Sequence, residues 1–185
     1  EYAWVKIRDQ IWMAENLAFL PEVHSSPSGS EEFARYYVYG YEGNDVIKAK
    51  EHQNYHRYGV LYNYSAAMDG ANGSDSNPSE VKGICPMGWH LPNHAEWEGL
   101  SSYRYGNAKS LAATSGWSAS FKEGDVGNDQ ASNNSTGFSA LPAGRRVQFG
   151  VFSGQEDATF FWASNGTYDK TAVSRSLIFS DDKLE

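Results

Sequence analysis

Histidines spaced for a shared metal, oxygen donors grouped on a polar loop, and tyrosines in alternation are the three patterns in this chain with the residue types for chemistry. His52 and His56 stand four apart, so they share a face if Asp45 to Tyr55 is helical, as the period of Val46, Ala49 and Lys50 suggests. Two such histidines can bind zinc, yet no glutamate stands between them and no third ligand lies nearby. They are read as structural or surface residues. His90 and His94 are read the same way, because Pro92 prevents regular helix between them.

The oxygen donors are Asp125, Asn128 and Asp129, in the polar run from Lys122 to Thr136. Such hard donors suit Ca²⁺, and long irregular stretches often carry binding sites. A second polar run, Asp69 to Lys82, puts Glu80 at the twelfth position of an EF-hand loop. The sixth position, which needs glycine, holds Ser74. Both runs are expected to be solvated loops, with no bound metal or cofactor, and a Ca²⁺ site on Asp125, Asn128 and Asp129 stands as the exception to test. Tyr37, Tyr39 and Tyr41 share one face if their segment is a strand. A row of tyrosines offers flat apolar area beside a hydroxyl and can stack on sugar rings, but tyrosine also favours half-buried strand positions.

Composition narrows the function classes. The chain has 185 residues, enough for one domain with a sizeable core, and its formal charge is -8. That balance argues against nucleic acid, which needs a basic face, and against docking to anionic lipid. No apolar run approaches the roughly 20 residues that span a membrane. Cys85 is the single cysteine, so no internal disulfide can form and the redox compartment stays open. No nucleophile elbow, phosphate-binding loop, dinucleotide fingerprint or zinc-protease motif occurs, and the carboxylates form no obvious acid/base pair. The chain starts at Glu1 without Met, which reads as a processed or trimmed form.

The elements that must position these residues turn on Cys85 to Leu100. Pro92 bars helix before it, Asn93 can cap the helix that follows, and Glu96 can reach back to the Asn93 N–H as a capping box. Trp97 and Leu100 then share a face and point to a core, with Trp89 and Leu91 over the same core. Upstream, Val5, Ile7, Ile11 and Met13 flank Arg8-Asp9-Gln10 as a hairpin, and Gly59 to Tyr62 reads as a strand before a short helix at Asn63 to Met68. Downstream, Leu111 and Trp117 are core candidates and Phe138 to Leu141 is a buried strand. A hairpin is expected about Gly150, with strands at Phe160 to Trp162 and Ala172 to Phe179. The abundance of Gly and aromatic residues suits short strands with ordered loops, and no repeat recurs.

The run Cys85-Pro86-Met87-Gly88-Trp89-His90-Leu91-Pro92, closed by Glu96-Trp97, resembles the signature of the Fibrobacter succinogenes major paralogous domain. So do Trp12 to Leu17, Tyr58 to Asn63 with Ala66 to Met68, and Thr136 to Gly144, in the family's order. Leu91-Pro92 with Glu96-Trp97-Glu98 also resembles formylglycine-generating enzymes, whose chemistry needs a cysteine pair absent here. The first resemblance implies a C-type-lectin-like α+β fold spanning 1–185, in a secreted or surface protein of bacteria. It implies a non-catalytic adhesion module binding glycan or protein, or else an assembly domain of a larger surface protein. The sugar-binding tripeptides of calcium-dependent lectins are missing, and Trp162-Ala163-Ser164-Asn165 is a faint echo that makes Asn165 a candidate ligand residue. Family members add a closing strand that pairs with the N-terminal strand. This chain is expected to lack it, leaving Trp4 to Ile7 uncovered.

Overall fold

The computed structural model describes residues 1–101, 108–165 and 172–185. Within them short strands and short helices alternate with long ordered loops, an α+β arrangement. The segment Tyr105 to Trp117 lies partly outside the described residues, and its two core candidates, Leu111 and Trp117, are buried.

Strands β1 (Trp4–Ile7) and β2 (Gln10–Met13) form an antiparallel hairpin with Ile7 opposite Gln10. Its two-residue turn puts Arg8 at φ 56, the left-handed conformation that tight hairpin turns need. One face of the hairpin buries Ile7 and Trp12, while Trp4 and Ile11 point out. Strand β3 (Tyr36–Tyr37) pairs with β4 (Leu61–Tyr62). Between them lie α1 (Val46–Glu51) and α2 (Gln53–Tyr58), where one helix was expected. His52 breaks it: its backbone is extended (φ -70, ψ 135), and its imidazole caps α2 by accepting the Asn54 N–H at 3.3 Å. Helix α3 (Tyr64–Met68) starts where expected, with Asn63 as its cap.

The signature segment then runs alongside α3, with the Ile84 N–H donating to the Ala67 carbonyl at 3.0 Å. Gly83, at φ 49, permits this approach, since a Cβ there would run into that same carbonyl oxygen. Helix α4 (His94–Ser101) follows. Phe138 to Leu141 contributes only one bridge, Ala112 to Ala140, rather than a full strand. The last four strands, β5 (Ala143–Val147), β6 (Val151–Gln155), β7 (Ala158–Trp162) and β8 (Ser174–Ile178), form a sheet in the order β6-β5-β7-β8. Beyond β8, Glu185 exchanges two main-chain hydrogen bonds with Ser176, at 2.7 and 3.0 Å. Among the described strands β1 pairs with β2 alone.

Two apolar clusters hold these pieces. The larger joins Ile7, Trp12, Trp97, Leu100, Leu111, Trp117, Phe138 and Leu177. Its rings interlock, with Trp12 and Trp97 centred 4.8 Å apart, Trp97 and Phe161 5.3 Å, and Trp12 and Phe138 5.8 Å. These separations suit tilted and edge-on aromatic packing. The smaller cluster gathers Leu20, Val23, Tyr36, Val38, Ala49, Val60 and Ala66.

Candidate functional site

The most organised polar centre is built on Glu96. The expected capping box is present: the Glu96 N–H donates to Asn93 Oδ1 at 3.0 Å, and the Asn93 N–H donates to Glu96 Oε2 at 3.0 Å. Oε2 also accepts the Ser79 N–H at 3.1 Å, and Oε1 faces His90 Nε2 at 2.7 Å. Asn93 Nδ2 donates to the Ser76 carbonyl, and the Ser79 hydroxyl to that of Leu91. A single carboxylate thus ties the loop before the signature, the signature and α4 together. Glu96 and Asn93 are buried, yet each polar atom has a partner, as burial requires.

His90 stands where this centre opens into a cleft of about 940 Å³ along β2. Exposed Trp4 and Ile11 of the hairpin and half-buried Trp89 of the signature line it, together with buried Trp12, Trp97 and Phe138. Trp4 is 60% exposed, a large cost in water-facing apolar surface for one side chain. Gln10 ties β2 to α4: its Nε2 donates to the Glu96 carbonyl at 3.2 Å, and its Oε1 accepts from the Trp12 indole at 3.3 Å. Asn77 and Asn16 add amides to the lining, and Asp9 and Glu15 add exposed carboxylates. No Lys or Arg lies among the described lining residues. Cys85 also lines the cleft; burial pushes its thiol pKa up to about 11, with Lys82 opposing weakly.

The tyrosines do not make a platform. The strand stops at Tyr37 and the chain turns, with the Tyr41 N–H donating to the Val38 carbonyl at 3.0 Å, so the three residues share no strand face. Tyr37 is 2% exposed; its hydroxyl donates to the Ser28 carbonyl at 2.9 Å, and the Arg146 guanidinium lies over its ring. Tyr39 packs on Phe152, with ring centres 5.0 Å apart, and Tyr41 packs beside His52. Asn165 has a structural job: its Oδ1 accepts the His94 N–H at 2.9 Å at the start of α4, and its Nδ2 donates to Asp75 at 2.7 Å.

The polar loop of Asp125, Asn128 and Asp129 does surround a cation, but a tethered one. Lys109 Nζ donates to the main-chain carbonyls of Asp125 at 3.3 Å, Asp129 at 3.2 Å, and Asn128. Burial lowers the Lys109 pKa, and Asp129 and Asp125 oppose that shift. The Asp125 carboxylate accepts the Ser120 hydroxyl at 2.6 Å and lies 3.3 Å from Lys122 Nζ. The Ser120 bond first, with Lys122 and Lys109 behind it, holds that carboxyl below the usual range. The Asn128 amide is turned to the Ser120 carbonyl at 3.1 Å. Among the described residues no three His, Cys, Asp or Glu side chains are placed to hold a metal ion.

Of the signature residues, Trp97 is buried as expected and Glu96 is buried with it, whereas Trp89 and Leu91 are only half-buried and Trp89 turns to the cleft. Sequence reasoning missed Trp4, Gln10 and His90 as a group, because they come to one cleft only when the β1–β2 hairpin packs beside the signature segment. The one local signal was the odd parity of Trp4 and Ile11, which a register would put opposite the buried Ile7 and Trp12.

The family model described as the Fibrobacter succinogenes major domain matches residues 5–183. Neither a curated protein nor a solved structure matches the chain at a significant level.

Proposed function

The chain belongs to the Fibrobacter succinogenes major domain family, and within it we propose a non-catalytic, secreted or cell-surface binding module of C-type-lectin-like fold that takes a glycan or protein ligand in the cleft along β2. The observation that carries this reading is the cleft itself, where exposed Trp4 and half-buried Trp89 flank convergent polar groups from Gln10, Asn77 and His90. Concave sites with aromatic walls and a few placed polar groups are where ligands bind. A binding role fits better than catalysis. The neutral Cys85 thiol makes a poor nucleophile, and Glu96 spends both oxygens on the capping box and His90. Calcium is not part of the proposal, since Lys109 occupies the carbonyl cluster on the polar loop. Nor is nucleic acid, given the net charge. No helix among the described residues is long and apolar enough to cross a membrane.

The rival is an assembly domain with no small ligand, favoured by the edge of β1, which no third strand pairs among the described residues, beside exposed Trp4 and Ile11. A glycan array, read with calcium and with chelator for the wild type and Trp4→Ala, separates the two. Calcium-independent hits that Trp4→Ala removes support the cleft. An array that stays silent for the wild type turns the reading to assembly.

A further inference from the structure

Resting on the reading of the cleft as a binding site, we infer that its ligand is a hydroxyl-rich saccharide without negative charge, and that His90 Nδ1 accepts one of its hydroxyl protons. Glu96 sets the orientation of His90. Its Oε2 already accepts two backbone N–H groups, from Ser79 and Asn93, and its Oε1 lies 2.7 Å from His90 Nε2. A carboxylate held by those donors offers only lone pairs, so Nε2 must carry the hydrogen of that bond. In a neutral imidazole the other nitrogen is then an acceptor. Nδ1 has no hydrogen-bond partner among the described residues, and His90 lines the cleft with its side chain 36% exposed. In that neutral form the Glu96 contact fixes both the tautomer and the polarity of the group that His90 presents.

The rest of the cleft has the same polarity. The Asn16 amide donates inward to the Tyr58 carbonyl at 2.9 Å, which leaves its oxygen for a ligand. Asp9 and Glu15 add acceptors at the rim, and no cationic side chain stands among the described lining residues to receive an anion. Such a lining asks for a ligand that brings hydrogen-bond donors and no negative charge, and it disfavours uronic, sialylated and sulfated sugars. Trp4 and Trp89 supply flat apolar faces of the kind that pack on the C–H face of a pyranose ring.

The test titrates the protein with neutral gluco-, galacto- and manno-oligosaccharides and with their uronate and free-amine counterparts. Imidazole ¹⁵N shifts and calorimetry are the readouts, on the wild type, His90→Ala and Trp4→Ala. The expected results are an Nε2–H tautomer for His90 in the free protein and an Nδ1 resonance that moves with a neutral sugar. His90→Ala should lose affinity about tenfold, the worth of one buried hydrogen bond. Tighter binding of the uronate counterparts overturns the inference, as does an Nδ1–H tautomer or unchanged affinity in His90→Ala. If any of these occurs while Trp4→Ala still abolishes binding, the cleft remains the binding site and only its ligand class is wrong. If no saccharide binds, the inference and the glycan form of the reading fall together.

Discussion

At the scale of single residues, burial and partners decide what each side chain can do. Trp97 is 3% exposed, packs against Trp12 and Phe161, and places its indole N–H 3.3 Å from the Trp162 carbonyl. Trp97→Ala should therefore cost about 3–5 kcal/mol in chemical denaturation, and a loss under about 1 kcal/mol would mean the ring is not part of the core. Glu96→Gln removes an acceptor from a group that serves three donors, Ser79, Asn93 and His90. It should cost about 1–3 kcal/mol by the same measurement, because a buried donor left unpaired loses its hydration without return. Cys85 makes a different kind of prediction. Burial penalises the thiolate, so with a pKa of about 11 the group stays a thiol throughout the neutral range. Alkylation by iodoacetamide at pH 8 should be far slower in the folded protein than in denaturant, and should speed up as pH climbs toward 11. A fast reaction at pH 7 would point to a cation near the sulfur, which would reopen nucleophilic chemistry. Within the signature, the capping box was legible from the sequence. Asn93 and Glu96 meet within four residues, so their spacing in the sequence specifies the contact. The roles of His90 and Tyr37 depended on which face the fold left open, and spacing carries no information on that.

Among the elements, the instructive differences come from polar side chains competing with regular backbone. The helix expected from Asp45 to Tyr55 splits at His52 because that imidazole caps a new helix, an alternative that periodicity does not register. The hairpins β1–β2 and β5–β6 were legible because apolar alternation and short turns specify register locally. The parallel contact of β5 with β7 was not, since it rests on one pair, Gly144 with Thr159, brought together by tertiary packing. The loop Lys122 to Thr136 falls between these cases. Its oxygen-rich side chains suggested a site for a metal ion, whereas its main-chain carbonyls hold the Lys109 ammonium, which comes from outside the loop. Lys109→Met should destabilise the protein by about 1.5–3 kcal/mol, the range for hydrogen bonds to a charged group, and should raise proteolysis within the loop. Millimolar calcium should leave the wild-type melting temperature unchanged, because the carbonyl cluster already holds an ammonium. A rise in melting temperature with calcium would show that a metal site exists despite it.

For the whole molecule, the open question is how an antiparallel hairpin that no third strand covers among the described residues is used. An exposed strand edge presents N–H and C=O groups that recruit another strand or stay solvated. The register gives this a signature at single-amide resolution. The Ala14 N–H donates to the Ala3 carbonyl at 2.9 Å, and antiparallel ladders alternate between hydrogen-bonded and outward-facing pairs. Counting from that pair, Val5 with Trp12 and Ile7 with Gln10 bond inward, while the Trp4 and Lys6 amides face away from β2. In hydrogen exchange at low protein concentration, Val5 and Ile7 should be protected, and Trp4 and Lys6 should exchange fast. The concentration series then distinguishes the two readings of the exposed tryptophan. If Trp4 serves the cleft, its amide stays fast at every concentration, and only ligand protects its side chain. If the edge is an assembly surface, Trp4 and Lys6 slow together as copies pair, with no ligand present. Protection of Trp4 and Lys6 even at high dilution would mean that the chain itself covers the edge, and neither role would then be open to β1.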